Sequence, residues 1–251
     1  MKTPRSTLSH YTKDAVYYGA DNLVDDLIGK ASFIDVFMKQ TFGRVPSPAE
    51  TQMINAVLVV LMEHGLTPSA IAARMVYASS PENLQSGVAA GLLAVGSRFV
   101  GTTEQAAVEL ERIAKAPDGR AEARAIAADY RARREPMPGF GHHLHSPDDP
   151  RAKALLNLSV QLGLFGSFGA ALGVLAEEVD NVSGRHITIN ATGAIAAVLG
   201  DMRIPPALMR GFAVLARCAG LIAHIAEEQR EPSMRYIWDL VDGAMATKPE
   251  A

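Results

Sequence analysis

Apolar residues recur at intervals of three and four along almost the whole chain, and alternating β-branched runs bounded by turn pairs are scarce. That period commits each segment to a helix that buries one stripe against others, so the fold class read from the sequence is all-α. The pattern divides into roughly ten to twelve helices. Start signals place several of them. In Ser47-Pro48-Ala49-Glu50 the serine can cap, the proline suits a first turn, and the glutamate three residues on completes a capping box. A mostly apolar helix follows over residues 51–63, with two more over 69–79 and 82–95, and their thin polar faces predict interior positions. Residues 103–134 change character to Ala-rich helices with charges on one face, split at Ala116-Pro117-Asp118-Gly119, which predicts a surface helical hairpin.

Residues 154–176 carry no charge and are long enough to span a bilayer. Their polar Asn157, Ser159, Gln161 and Ser167 and their glycines at 163, 166, 169 and 173 suit two tightly packed buried helices better. The polar segment 1–13 lacks the apolar core of a secretory signal and reads as a loose tail. Residues 180–185 read as an interruption, and 187–193 as the one place for a short extended segment. Formal charge is -3, from 24 basic and 27 acidic residues, which provides no cationic field for nucleic acid or an anionic membrane. Cys218 is the only cysteine, so no intrachain disulfide or cysteine metal cluster can form, and a cytoplasmic setting is expected.

Chemistry concentrates in Pro138-Gly139-Phe140-Gly141-His142-His143-Leu144-His145, continued by Asp148-Asp149-Pro150-Arg151. Glycines let backbone approach a ligand, an imidazole exchanges protons near neutral pH, and a guanidinium is a planar fork for a carboxylate. Three histidines in four residues also resemble a metal site, but no carboxylate stands at the spacing of the helical zinc motifs, and no metal is expected.

This motif, with Arg151 in its Asp-Pro-Arg ending, resembles the signature of citrate synthases and their relatives, in particular the short citryl-CoA lyase branch and the lyase portion of ATP-citrate lyase. Further similar segments follow in the same order: Glu63-His64-Gly65, the glycine-rich residues 91–99, Arg217 to His224, and Pro232-Ser233-Met234-Arg235. The resemblance covers nearly the whole chain. It implies a large helical domain from residues 1–102 and 190–251, a smaller inserted one from 103–189, and a homodimer or higher homo-oligomer with shared sites. It also implies an acyl-CoA and a small carboxylic acid as partners, with coenzyme A entering as substrate or product. By the same resemblance His142 is the proton-transfer group, His64, Arg151, Arg217 and a partner subunit's copy of Arg235 bind carboxylates, and Gly139, Phe140 and Gly141 face the thioester or coenzyme A.

Two departures shape the expectation. Phe99 stands where synthases carry a histidine for the thioester oxygen, as in the lyases, and Thr192 stands where both groups carry an aspartate that moves the proton beside the thioester. A threonine hydroxyl cannot act as a carboxylate base. The implied activity is retro-aldol cleavage of citryl-CoA to acetyl-CoA and oxaloacetate, with Glu177, Glu178, Asp180 and Asp201 as conceivable substitutes for the lost acid. The alternatives are a lyase or hydrolase for another acyl-CoA, or a catalytically silent protein that binds coenzyme A or a carboxylate.

Overall fold

The computed structural model describes residues 3–96, 102–142, 144, 145 and 147–245, and these contain eleven α-helices, three short strands and one π-helical turn at Leu23–Leu27. The all-α reading holds. The helices are α1 (Phe33–Phe42), α2 (Pro48–Met62), α3 (Pro68–Ser79), α4 (Leu84–Leu93), α5 (Thr102–Lys115) and α6 (Gly119–Arg133), then α7 (Pro150–Gln161), α8 (Ser167–Ser183), α9 (Ala191–Asp201), α10 (Pro206–Arg230) and α11 (Met234–Ala244). The capping box that opens α2 is formed, with Ser47 accepting from Glu50 N and Glu50 accepting from Ser47 N.

Helix α9 is the axle of the main core: Ala194, Ile195, Ala196, Ala197 and Leu199 have no exposed surface. Small side chains let α5, α7 and α8 close around it, so the fold spends its most apolar helix on holding the others in place. Helix α10 leaves this core after Phe212, and its second half packs Ile225 against Tyr77 of α3 and Val88 of α4. By length and composition α10 could cross a membrane, yet half of its apolar stretch is buried inside the fold.

The middle of α10 lies against the end of α2 so closely that a Cβ on Gly220 would stand 1.9 Å from the Met62 carbonyl oxygen. Backbone cannot yield as a flexible side chain can. Gly220→Ala is therefore expected to force the helices apart and cost at least about 1–3 kcal/mol, read as a lowered urea midpoint.

Several expectations change. Residues 9–11 are not a loose tail: β1 (Ser9–Tyr11), β2 (Val16–Tyr18) and β3 (Asp21–Asn22) form an antiparallel sheet with His10 opposite Tyr17. The pairing follows from the β-forming Val16-Tyr17-Tyr18, from His10 stacking on Tyr17 at 4.7 Å, and from a turn closed by Thr12. The interruption expected over residues 180–185 begins late, because α8 runs on to Ser183 and stops at Gly184 in a left-handed conformation. The uncharged stretch does divide into α7 and α8, whose junction is fixed by Asp201 accepting the amides of Gly166, Phe168 and Gly169. In the single chain α2, α3 and α4 are not interior throughout, since Val59, Met62, Val76, Leu84 and Leu93 are exposed. Helix α5 pairs with α6 as the expected hairpin, Asp118 capping α6, but α5 is partly buried by α9 and α10.

Candidate active site

The segment between α6 and α7 meets the first turns of α7 and α9, the end of α2 and the middle of α10 around a cleft of about 1080 Å³. Glycines make that meeting possible. Gly139 has φ +86°, and a Cβ on Gly193 would lie 2.5 Å from the Gly139 carbonyl oxygen, so the loop rests directly on the start of α9. Its backbone is then laced down: Asn190 N donates to Gly139 O at 3.0 Å, Gly141 N to Thr188 O at 2.7 Å, and Asn190 Nδ2 to Gly141 O at 3.0 Å. Among the described residues, the stretch expected to be extended forms one isolated bridge, Phe140–Ile189.

Asp149 organises the cationic side of the cleft. It caps α7 by accepting from Arg151 N at 3.0 Å, takes the Arg151 guanidinium on two prongs at 3.0 and 2.8 Å, and accepts Ala191 N of α9 at 3.1 Å. Burial pushes its carboxyl up, but these hydrogen bonds and the adjacent guanidinium charge outweigh that and hold it below the usual carboxylate range. Arg151, thus fixed, places Nη2 at 3.1 Å from His142 Nε2 and Nη1 at 3.4 Å from His64 Nδ1. Three groups 87 residues apart at the extreme converge on one point.

His142 Nδ1 accepts the amides of Leu144 and His145 at 3.1 and 3.0 Å. With two amides on Nδ1, the nitrogen that faces Arg151 Nη2 is Nε2. His142, His145 and Asp149 also bring possible metal-ligand atoms within 4.8 Å of one another. The Arg151 guanidinium already bridges Asp149 and His142, however, and supplies the positive charge that an ion would bring.

Arg217, from α10, reaches the same cleft with only 7% of its surface exposed, and its Nε and Nη1 are shielded from solvent without a hydrogen-bond partner. Burial pushes this guanidinium's pKa down, against the opposing pull of the Glu63 charge. A buried cation left with unused donors is costly unless a ligand completes it. Glu63 also accepts His64 N at 2.9 Å and His224 Nε2 at 3.1 Å, which fixes the turn presenting His64. His224 and Glu228, one turn apart, both hold the buried Arg74.

Thr192 lies at the cleft, its hydroxyl donating to Asn190 Oδ1 at 2.7 Å and accepting from Thr102 at 3.2 Å. None of the four proposed substitute acids is there. Glu177 and Glu178 pair with Arg120, Asp180 with His186, and Asp201 caps α8. Among the described residues the carboxylate on the cleft wall is Glu135, ion-paired with Arg133, whose guanidinium lies over Tyr130. Arg235 is away from the cleft of its own chain, exposed on α11 and paired with Asp239. Trp238 of that helix is 55% exposed. Arg98, Phe99 and His143 lie outside the described residues.

The sequence reading missed Asp149 as organiser and Glu135 with Arg133 as a wall of the cleft. The only available signal was Asp149 directly before Pro150, a helix-start pattern that names a cap and not its tertiary partners.

A family model described as citrate synthase, C-terminal domain, matches residues 8–237. Citryl-CoA lyase from Hydrogenobacter thermophilus has a similar structure, with TM-score 0.86 and 30% identity, covering 100% of this chain and 97% of that one. ATP citrate lyase from Methanothrix soehngenii, solved in complex with citrate and coenzyme A, shares the fold at TM-score 0.80 and 21% identity over 100% of this chain and 43% of that one. "Putative citrate synthase 2" of Mycobacterium tuberculosis is 29% identical over 211 residues, 80% of this chain and 55% of the relative. The chain thus spans about half the length of this curated relative, and a third of the probable ATP-citrate synthase subunit 1 of Schizosaccharomyces pombe, where the share is 34%.

Proposed function

This chain belongs to the citrate synthase family, and on that premise we propose that it breaks a carbon-carbon bond in a 3-hydroxyacyl-CoA, with citryl-CoA giving acetyl-CoA and oxaloacetate as the parent reaction. The observation that carries the proposal is the buried guanidinium of Arg217, with Nε and Nη1 lacking a hydrogen-bond partner, on the same cleft as Arg151, His64 and His142. Such a set suits a polycarboxylate: Arg217 and Arg151 take its carboxylates, and the tertiary oxygen seats between His142 Nε2 and Arg151 Nη2.

Cleavage removes the proton of the tertiary hydroxyl and leaves the bonding pair on the carbon beside the thioester as an enolate. His142 handles the first proton, being the group beside that oxygen. Backbone of Gly139, Phe140 and Gly141 faces the thioester end, and residues 103–189 act as the smaller lobe over coenzyme A. The exposed apolar residues of α2 to α4, with Tyr236, Trp238, Leu240 and Val241 of α11, are covered in a homodimer, which brings Arg235 to the neighbouring site.

One observation favours a second reading. The Thr192 hydroxyl is engaged with Asn190 and Thr102 and can move no proton to an enolate, as a silent binder of CoA esters would require. A dehydrogenase-linked assay for oxaloacetate released from citryl-CoA separates the two. Steady release above the protein-free rate is expected; no release, with CoA esters still raising Tm, replaces cleavage by binding alone.

A further inference from the structure

Bond formation or cleavage beside a thioester passes through an enolate, and an enolate made from an acetyl group needs a base to take the proton. Among the described residues the cleft offers no carboxylate base next to Thr192. Among the described residues its wall carries one carboxylate, Glu135, held by Arg133, and residues 97–101 contain no acid. His142 faces Arg151, the place already assigned to the hydroxyl oxygen, with its other ring nitrogen occupied by two loop amides. The same wall holds Arg217, whose Nε and Nη1 have no hydrogen-bond partner, while Arg133 and Arg151 are already paired with Glu135 and Asp149.

We propose that the cleft condenses a malonyl-type CoA thioester, one with a carboxylate on the carbon next to the thioester carbonyl, with a 2-oxo dicarboxylic acid, releasing CO₂. The bond from that carbon to its carboxylate breaks, CO₂ leaves, and the electron pair forms the new carbon-carbon bond to the ketone carbon. The ketone oxygen receives the displaced pair and takes the proton offered at His142 Nε2, which solvent restores. One proton is consumed and one CO₂ released, with no oxidant and no base. The role that Thr192 cannot play passes to the substrate: its own carboxylate leaves where a proton would otherwise have to be pulled off, and a threonine at this position spares it the repulsion of a protein carboxylate. The inference rests on the reading of the cleft as a site for a CoA thioester and a 2-oxo acid.

The test supplies oxaloacetate with either malonyl-CoA or acetyl-CoA and follows CO₂ release and the mass of the CoA product. Malonyl-CoA is expected to react at least about 10²-fold faster, the scale of a missing positioned base. Thr192→Asp is expected to reverse the preference, raising the acetyl-CoA rate and lowering the malonyl-CoA rate by about 10-fold or more through like-charge repulsion. Equal use of both thioesters by the unaltered protein, a comparison that needs no variant, overturns the inference. Cleavage of citryl-CoA without CO₂ from malonyl-CoA also overturns it while leaving the reading of the site intact, and failure of both reactions removes both.

Discussion

His142→Ala is expected to slow citryl-CoA cleavage by about 10² to 10⁴-fold while moving folding stability by no more than about 0.5 kcal/mol. The ring lies against Arg151 at 3.1 Å, where the proposed reaction seats the tertiary oxygen, so the variant removes the group assigned to that oxygen's proton. Its structural duties are light. Nδ1 accepts two amides of its own loop, near exposed Leu144, and water can replace the ring there. His142→Asn keeps an acceptor for those amides but has no transferable ring proton, and should be as slow as the alanine variant. Turnover within a few-fold of the unaltered protein in either variant would remove His142 from the chemistry.

Asp149→Ala should be costly in both stability and activity. Its carboxylate has no exposed side-chain surface and satisfies the Arg151 guanidinium together with the first free amides of α7 and α9. Removing one partner of such a pair leaves the other uncompensated, at about 3–5 kcal/mol; Arg151 is 28% exposed and recovers part of this from water, so about 3 kcal/mol is expected by urea unfolding. Arg151 would also leave its place between His142 and His64, so kcat/KM for citryl-CoA should fall with it. The pH dependence has a definite sign. A carboxyl held below its unfolded value contributes fully above the ordinary carboxylate range, near about 4, and loses that contribution as pH falls through its lower folded value. The stability gap between the unaltered protein and Asp149→Ala should therefore be constant above about pH 5 and narrow below about pH 4.

Local signals were legible where local chemistry decides the outcome. The Ser47 to Glu50 box, the α5–α6 hairpin and the break between α7 and α8 all follow from residues within a few positions of each other. The loop from Pro138 to Arg151 could be singled out because glycine, histidine and arginine together have few purely structural uses. The rest depends on distant partners. Strand β1 is too short for alternation to show, and exists because Tyr17 lies opposite His10. Asp149 is an ordinary cap until α9 brings the Ala191 amide to it across 42 residues. The unfilled donors of Arg217 are invisible in an apolar helix until its neighbours have buried them.

Titration calorimetry with oxaloacetate, on the unaltered protein and on Arg217→Met, tests most directly whether that buried guanidinium is a carboxylate receptor. Methionine keeps the packing and removes a desolvated charge, so the variant should be as stable as the parent or more so, yet bind oxaloacetate about 10- to 100-fold more weakly. Equal affinity in the two proteins would contradict the assignment of the cleft.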